Sequence, residues 1–354
     1  MRKVFHLITT ISRGGAENQL LVLVNEQIKQ GLDVHVVYLK GEPELKADFE
    51  RGGAVVNSEL AGYSPLMQTF KLRKLIGNLD PIVHAHLPRA ELVAFFTFTK
   101  FKFISSRHNA EPFFPGAPRF LSNFLARIVE MRNQRIIAIS NAVKNNLIQT
   151  GESSNAEKIE VVLYGYKSKR NRSLINISNS RSIMKIGTIS RLTEQKDIPT
   201  MLRTFQNIRT LSPKSSLGIL GAGPLEQELK ETVREMGLAD AVNFLGRSAH
   251  IYEFLNQLDV FILTSKYEGF GMVLLEAMDS GVPIVAANNS AIPEVLGDSF
   301  PGLCETGNYD DFTKKILNLR NIEARKEILN IQENRLKLFS SAKMAKKIER
   351  IYFE

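Results

Sequence analysis

Two carboxylates, Glu268 and Glu276, stand eight residues apart in the stretch Leu263-Thr264-Ser265-Lys266-Tyr267-Glu268-Gly269-Phe270-Gly271-Met272-Val273-Leu274-Leu275-Glu276-Ala277-Met278. An ionised carboxylate accepts hydrogen bonds at both oxygens and so suits the paired hydroxyls of a sugar or a ribose. The apolar run Val260–Leu263 reads as a buried strand, the two glycines as a tight loop, and the periodic apolar run after them as a helix. Glu268 then falls in the loop and Glu276 about two turns further on. A loop that opens a helix turns backbone N–H groups and the positive end of the helix dipole toward any nearby anion. A charged surface loop and a solvated helix face would show the same residues, so the rest of the chain must decide.

Two further loops carry groups of the same kind. Arg191 and Lys196 lie five apart in the polar run 188–197, and Gly221-Ala222-Gly223-Pro224 follows the next apolar run. Arginine offers a planar fork and lysine a point charge, and with the 269–272 backbone they describe a diphosphate site. Such a site stabilises the charge that develops on a leaving nucleoside diphosphate without needing a metal. The sequence has no Asp-x-Asp triplet; Asp310-Asp311 is an adjacent pair in a helical stretch. In the first half, Ser12-Arg13-Gly14-Gly15-Ala16-Glu17 is a second glycine-bearing turn before a helix. It lacks the third glycine of a dinucleotide fingerprint and alone is weak evidence for an anion site. His108 stands between Arg107 and Asn109 at the end of a strand, His86 at the end of another, and His84 inside it. Ligands of open α/β sheets bind off the carboxyl ends of strands, which ranks His108 first, His86 second and His84 as structural.

These residues need a frame, and the chain supplies one twice. Strands at 4–8, 34–39, 82–85, 101–105, 135–139 and 159–163 alternate with helical patterns, of which 18–29 is the clearest, stopped by Gly31. Ser140 is placed to cap a helix from Asn141. Residues 167–182 turn rich in Lys, Arg, Asn and Ser and read as a linker. The pattern restarts with strands at 183–187, 217–220, 242–246, 260–263 and 283–287, and 308–354 is mostly helical. Consecutive β–loop–α–β units imply parallel sheets with right-handed crossovers. The expected class is α/β, with two Rossmann-like doubly wound domains facing a cleft.

At 354 residues two domains are the natural count. The single cysteine, Cys304, excludes an internal disulfide framework, points to a reducing compartment and reads as a core residue; no zinc-type Cys/His spacing exists. The basic start Met1-Arg2-Lys3 leads into a short apolar run that contains His6, a first strand rather than a signal segment. No run approaches the roughly 18 apolar residues of a membrane span. The net charge of +9 suits an anionic partner, either nucleotide, nucleic acid or membrane surface, and is also compatible with a merely basic enzyme. Within 111–135, Phe113, Phe114, Pro115, Pro118 and Phe120 mix with Arg119, Arg127, Arg132 and Arg135. That is either a basic amphipathic helix for an anionic bilayer or a sheet-packed helix with a solvated basic face.

Taken together these residues resemble the retaining glycosyltransferases of the GT-B fold, specifically glycosyltransferase family four, over almost the whole chain. The Glu268/Glu276 stretch matches the family's E-x7-E motif. Gly14-Gly15-Ala16-Glu17 matches the loop of its bacterial polysaccharide members, and Arg191, Lys196 and Gly221-Ala222-Gly223-Pro224 follow in order and spacing. The resemblance implies a metal-independent hexosyltransferase with no cofactor, taking a nucleotide-sugar donor, UDP-linked ahead of GDP-linked. By position, Glu276 would hold the donor's ribose. Glu268 and the backbone of Phe270, Gly271 and Met272 would hold its sugar and phosphate, and Arg191 and Lys196 its diphosphate with Gly221 and Gly223. His108 would stand beside the transferred sugar, and Gly14 and Gly15 would close on the diphosphate or acceptor side. The implied acceptor is a glycan on a lipid carrier at the cytoplasmic membrane face, in surface polysaccharide or glycoconjugate assembly. The implied location is cytoplasmic and peripheral to that membrane, with no nucleic-acid partner. The implied domains are 1–166 and 183–339, with 340–354 returning to the first. One departure stands out: where the family often has Asn-Gly, this chain has Tyr164-Gly165-Tyr166. Two other classes stay open, a sugar-nucleotide epimerase of the same fold and a non-catalytic sugar-nucleotide binder. Donor alone separates an epimerase, which converts it, from a transferase, which at most hydrolyses it slowly.

Overall fold

The computed structural model describes residues 3–109, 111–114, 116–169, 184–248 and 250–354. Most of the expected linker, 170–182, and Ile183 of the expected strand lie outside these residues. The chain divides into two compact units, one of Met1–Lys167 with Phe339–Glu354 and one of Ser168–Leu338. The expected first-domain end, 166, and return, 340, lie one residue from these, whereas the expected start of the second domain, 183, lies fifteen residues beyond Ser168.

In the first unit the order is β1 Val4–Ile8, α1 Gly15–Lys29, β2 Val34–Tyr38, α2 Lys46–Arg51, β3 Val55–Asn57, α3 Pro65–Ile76, β4 Ile82–His86, α4 Pro88–Phe96, β5 Lys102–Arg107, α5 Arg119–Arg132, β6 Arg135–Ala138, α6 Asn141–Gln149 and β7 Ile159–Val161. The strands pair in parallel in the order β3-β2-β1-β4-β5-β6-β7. β1 and β4 are buried throughout, as strands covered on both faces by helices must be. One face packs α3, α4 and α5 through Leu72, Ile76, Val93, Ala94, Ala126 and Val129. The other packs α1 and α2 through Leu20, Leu23, Val24 and Phe49. The short elements between 40 and 81 carry little periodicity, and the sequence pattern did not reveal them.

The second unit runs β8 Lys185–Ile189, α7 Ile198–Leu211, β9 Ser216–Leu220, α8 Glu226–Glu235, β10 Val242–Phe244, α9 Ile251–Leu255, β11 Val260–Leu263, α10 Met272–Asp279, β12 Ile284–Ala287, α11 Ile292–Leu296, β13 Leu303–Cys304, α12 Tyr309–Asn318 and α13 Ile322–Leu336. Its parallel sheet has the order β10-β9-β8-β11-β12-β13. Cys304 is fully buried in β13. In each sheet the order reverses once, between β1 and β4 and between β8 and β11. A crevice opens off the carboxyl ends of the strands at such a reversal.

The last helix, α14 Ser341–Phe353, belongs to the first unit and lies along α1, burying Met344, Ala345, Ile348 and Ile351 in the same core. Its entry explains Gly165. A Cβ there would lie 2.5 Å from the Ser341 Cα, so only glycine lets the chain pass the start of α14. Beside it the Tyr166 N–H donates to the Phe339 carbonyl at 2.7 Å.

Candidate functional site

In the second unit three loops meet at the carboxyl ends of β8, β9 and β11. The loop after β8 is stitched to the loop after β11. Thr264 Oγ1 donates to the carbonyls of Lys196 at 2.9 Å and Asp197 at 3.0 Å, Lys266 N–H to Gln195 O at 2.8 Å, and Gln195 Nε2 to Tyr267 O at 2.9 Å. The loop after β9 packs as closely. Leu192 N–H donates to Ala222 O at 3.1 Å, and a Cβ on Gly221 or Gly223 would lie 1.9 Å from Ser190 O or 2.3 Å from Leu192 O. This backbone contact by itself accounts for both glycines, expected from sequence to admit a phosphate.

That stitching brings Lys196 onto Glu268. The ammonium sits 2.5 Å from Glu268 Oε1, both side chains are nearly buried, and Ser265 Oγ donates to the same oxygen at 2.8 Å. Behind it Ser290 Oγ donates to the Glu268 carbonyl at 2.7 Å, fixing the loop from the β12 side. Arg191 is exposed, with Nη2 3.4 Å from Gln195 Oε1, so it belongs to the same stitched loop but not to the buried pair. Gly271 caps α10 in the left-handed region, φ 87°, with no side chain capping the helix, and Met272 begins it. The Phe270 side chain is buried, which leaves only its backbone to meet a ligand. Glu276 is half-buried on α10. Burial pushes its carboxyl up to about 7, and the charge of Lys169 pulls the other way. Lys169 is held there through its backbone N–H, which donates to Asp279 Oδ2 at 2.8 Å. Sequence reasoning missed Gln195, Ser290 and Lys169, since each acts through a backbone or a neighbour rather than a motif.

In the first unit a chain of neutral rings lies at the carboxyl ends of the strands, beside the charged Arg107. His108 follows β5; its Nδ1 lies 2.5 Å from the Tyr164 hydroxyl and its Nε2 3.0 Å from His86 Nδ1. His86 Nε2 lies 3.0 Å from His6 Nδ1, and His6 Nε2 lies 2.7 Å from Gln27 Oε1. Gln27 Nε2 donates to the Tyr352 hydroxyl at 3.1 Å, and that hydroxyl lies 2.7 Å from His84 Nδ1. Burial lowers every one of these imidazoles: His6 and His108 to about 4, and His84 and His86 well below the usual value, each further depressed by neighbouring histidines. In His108 the charge of Arg107 adds to the burial. Nitrogens of His6, His84 and His86 lie close enough to hold a metal ion. Each of their ring nitrogens already has a hydrogen-bond partner, the last being His84 Nε2 with Ser106 Oγ at 2.7 Å, so the cluster is satisfied as it stands. Next to it Arg107 lies between two buried carboxylates, 3.4 Å from Glu91 and 3.5 Å from Glu152, and stacks 4.2 Å over Phe113. Gly14 caps α1 at this same end of the sheet, and the space beside Gly15 is open. Glu17, in the first turn of α1, accepts from Thr10 Oγ1 at 2.7 Å.

Tyr164 had been legible only as a departure from a family pattern. Here its hydroxyl is the partner of His108. Its neighbour Gly165 meets α14, so the two halves of that dipeptide have separate structural tasks.

Two doubly wound units of this kind define a GT-B glycosyltransferase fold. Anabaena HepE in complex with UDP-glucose superimposes with a TM-score of 0.80 at 20% identity, covering 99% of each chain. The glycosyl transferases group 1 model matches residues 149–336, and the chain belongs to that family; the glycosyltransferase family 4 model matches residues 13–170. Among curated relatives, the capsular polysaccharide biosynthesis glycosyltransferase CapM of Staphylococcus aureus is 24% identical, covering 99% of this chain and 97% of its own. The N-acetyl-alpha-D-glucosaminyl L-malate synthase of Bacillus anthracis is 26% identical over 78% of this chain and 75% of its own.

Proposed function

We propose that the protein transfers a hexose from a UDP-sugar to a glycan acceptor on a lipid carrier, with retention of anomeric configuration and without a metal, in surface polysaccharide assembly. The observation that carries this reading is the Lys196–Glu268 pair on loops stitched together at the sheet reversal of the second unit. Lys196 supplies the fixed cation for the departing diphosphate, with Arg191 adding a solvent-side fork. Glu268 accepts from sugar hydroxyls and Glu276 from the ribose. A carboxyl that burial has raised gains most when hydroxyl donors replace its lost water. The sugar–phosphate bond breaks as negative charge builds on the diphosphate, which Lys196 neutralises and the start of α10 solvates. His108 stands beside the transferred sugar as a neutral imidazole. HepE with UDP-glucose and the polysaccharide role of CapM support the donor and the pathway.

The lipid acceptor is supported by the outer face of the first unit. Helix α5 turns Phe120, Leu121, Phe124 and Met131 outward, α3 exposes Leu66, Met67 and Phe70, and Phe96 and Phe98 are exposed between them. Arg132 ties this face together by donating to the carbonyls of Ala94, Phe95, Thr97 and Thr99. The sequence suggests a basic face for α5; in the structure the apolar side is outward and Arg132 is spent on α4. Arg73 and Lys74 on α3, Arg119 and Arg127 on α5, and Lys100 just after α4 are exposed, a combination that fits an anionic bilayer. Among the described residues no helix is long and apolar enough to cross a membrane.

A panel of nucleotide sugars with chelator present, followed by thermal shift and donor turnover, tests the donor half. One UDP-sugar that raises the melting temperature and is consumed supports the reading, because a ligand of the folded state must stabilise it. Conversion of donor alone to an epimer would replace transfer by isomerisation. The anomeric configuration of the product, read by NMR, decides retention.

A further inference from the structure

The chain of imidazoles reaches well beyond the position that the proposed function uses, and the identities of its end groups give it a direction. Gln27, on α1, holds its carbonyl oxygen 2.7 Å from His6 Nε2 and its amide nitrogen 3.1 Å from the Tyr352 hydroxyl. A carbonyl oxygen only accepts, so His6 carries its proton on Nε2 and its Nδ1 is a bare acceptor. His86 Nε2, 3.0 Å away, must then be the donor, which leaves His86 Nδ1 bare. His108 Nε2, 3.0 Å from that nitrogen, must in turn donate, and His108 Nδ1 accepts from the Tyr164 hydroxyl at 2.5 Å. The branch through Tyr352 is consistent. Its hydroxyl accepts from Gln27, donates to His84 Nδ1, and leaves His84 Nε2 to donate to Ser106. His6 and His84 are fully buried and His86 nearly so, and the protein groups named here are the partners along the chain.

We propose that Gln27 is a positioning residue that sets the tautomer of His108 from two imidazoles away. With it, His108 is a neutral ring with its proton on Nε2 and both nitrogens engaged. Its contribution at the sugar is then that of a fixed neutral ring and not of a free base. This rests on the placement of His108 beside the sugar, but the chain of donors and acceptors does not. A ring whose two nitrogens are distinguished only by their partners takes its tautomer from the more strongly committed end. Here that end is an amide oxygen inside the core, 81 residues before His108 in sequence, between α1 and α14.

The test is 15N NMR of the full chain with labelled histidine, comparing the intact protein with Gln27→Met and Tyr352→Phe. In the intact protein His6, His86 and His108 should each show a single tautomer protonated at Nε2. His108 protonated at Nδ1 would overturn the proposal outright, whether or not any variant folds. Gln27→Met, which keeps the volume but removes the acceptor, should turn His108 into a mixture of tautomers. Tyr352→Phe disturbs the same packing but keeps the acceptor, and should leave His108 in its single form. Equal behaviour of the two variants would make Gln27 a packing residue only. Turnover of the donor separates the chain from the sugar-site reading. A His108 tautomer mixture with kcat lowered about tenfold or more at unchanged donor KM supports both. The same mixture with unchanged kcat keeps the tautomer chain and removes His108 from the sugar.

Discussion

The two units solve the same problem with opposite materials. At its sheet reversal the second unit assembles charge: Lys196 on Glu268, Arg191 at the rim, and Glu276 raised by burial with Lys169 near it. At the equivalent place the first unit assembles a connected chain of neutral rings, phenols and an amide, with its charges, Arg107 between Glu91 and Glu152, set beside that chain. The charged set is held by backbone stitching between neighbouring loops. The neutral set is held by side chains drawn from β1, α1, β4, β5, the end of the β7 strand and α14. A doubly wound sheet thus fixes where a site lies but not its dielectric character, which the residues at the strand ends decide.

The largest break in this comparison should come from the charged side. Lys196→Ala removes a preorganised donor to developing charge and should lower turnover by about two to three powers of ten, in a steady-state donor assay. Full activity would mean that the diphosphate is neutralised elsewhere. Glu276→Ala should weaken nucleoside diphosphate binding by roughly ten- to a hundredfold by calorimetry, the scale of a lost hydrogen bond to a charged group. An unchanged Kd would leave the ribose without this partner.

The neutral side should reveal itself through pH. The imidazole of His6 has a folded value of about 4 against 6.5 when free. The unfolded chain therefore takes up protons that the folded one refuses. The stability tied to this ring is complete above about 6.5 and is lost as pH falls toward 4, on the order of 3 kcal/mol. His84, His86 and His108 act in the same direction. Glu91, raised by burial to about 7 against the pull of Arg107, acts in the opposite one, its stabilising share being present below about 4.5 and lost as pH rises to 7. Hydrogen exchange across pH 4 to 7 should show amides of the first unit opening earlier on acidification than those of the second. Glu91→Gln should steepen that loss. Equal acid responses of the two units would erase the contrast. The smallest effect is expected at the surface: Phe124→Ser should reduce binding to anionic vesicles several-fold in sedimentation, and added salt should reduce it further.

Legibility in the sequence follows the same divide. Glu268, Glu276, Arg191 and Lys196 could be picked out because each lies in a strand–loop–helix segment whose order is its geometry. The repeated strand–helix pattern gave the parallel α/β architecture, although β3, α2, α3 and α9 lie in stretches too short or too weakly periodic to read. The neutral network was illegible for a physical reason. Gln27 and Tyr352 lie 325 positions apart, and no local spacing announces an amide that must meet a phenol from the far end of the chain. His108 was singled out by its place at a strand end; His6 was not, because a histidine inside a buried strand looks like any other core residue. Gly221 and Gly223 show the converse, a motif whose glycines are accounted for by packing.

The return of α14 also fixes a schedule. The ribosome releases the seven strands of the first unit long before it makes the helix that lies along α1, because Ser168–Leu338 must be synthesised in between. At 5–20 residues per second this delay is on the order of ten to thirty seconds. During it Leu20, Leu23 and Val24 lack their facing helix, and Gln27 lacks Tyr352. A nascent first unit is therefore a natural client for chaperones until the second unit has been synthesised.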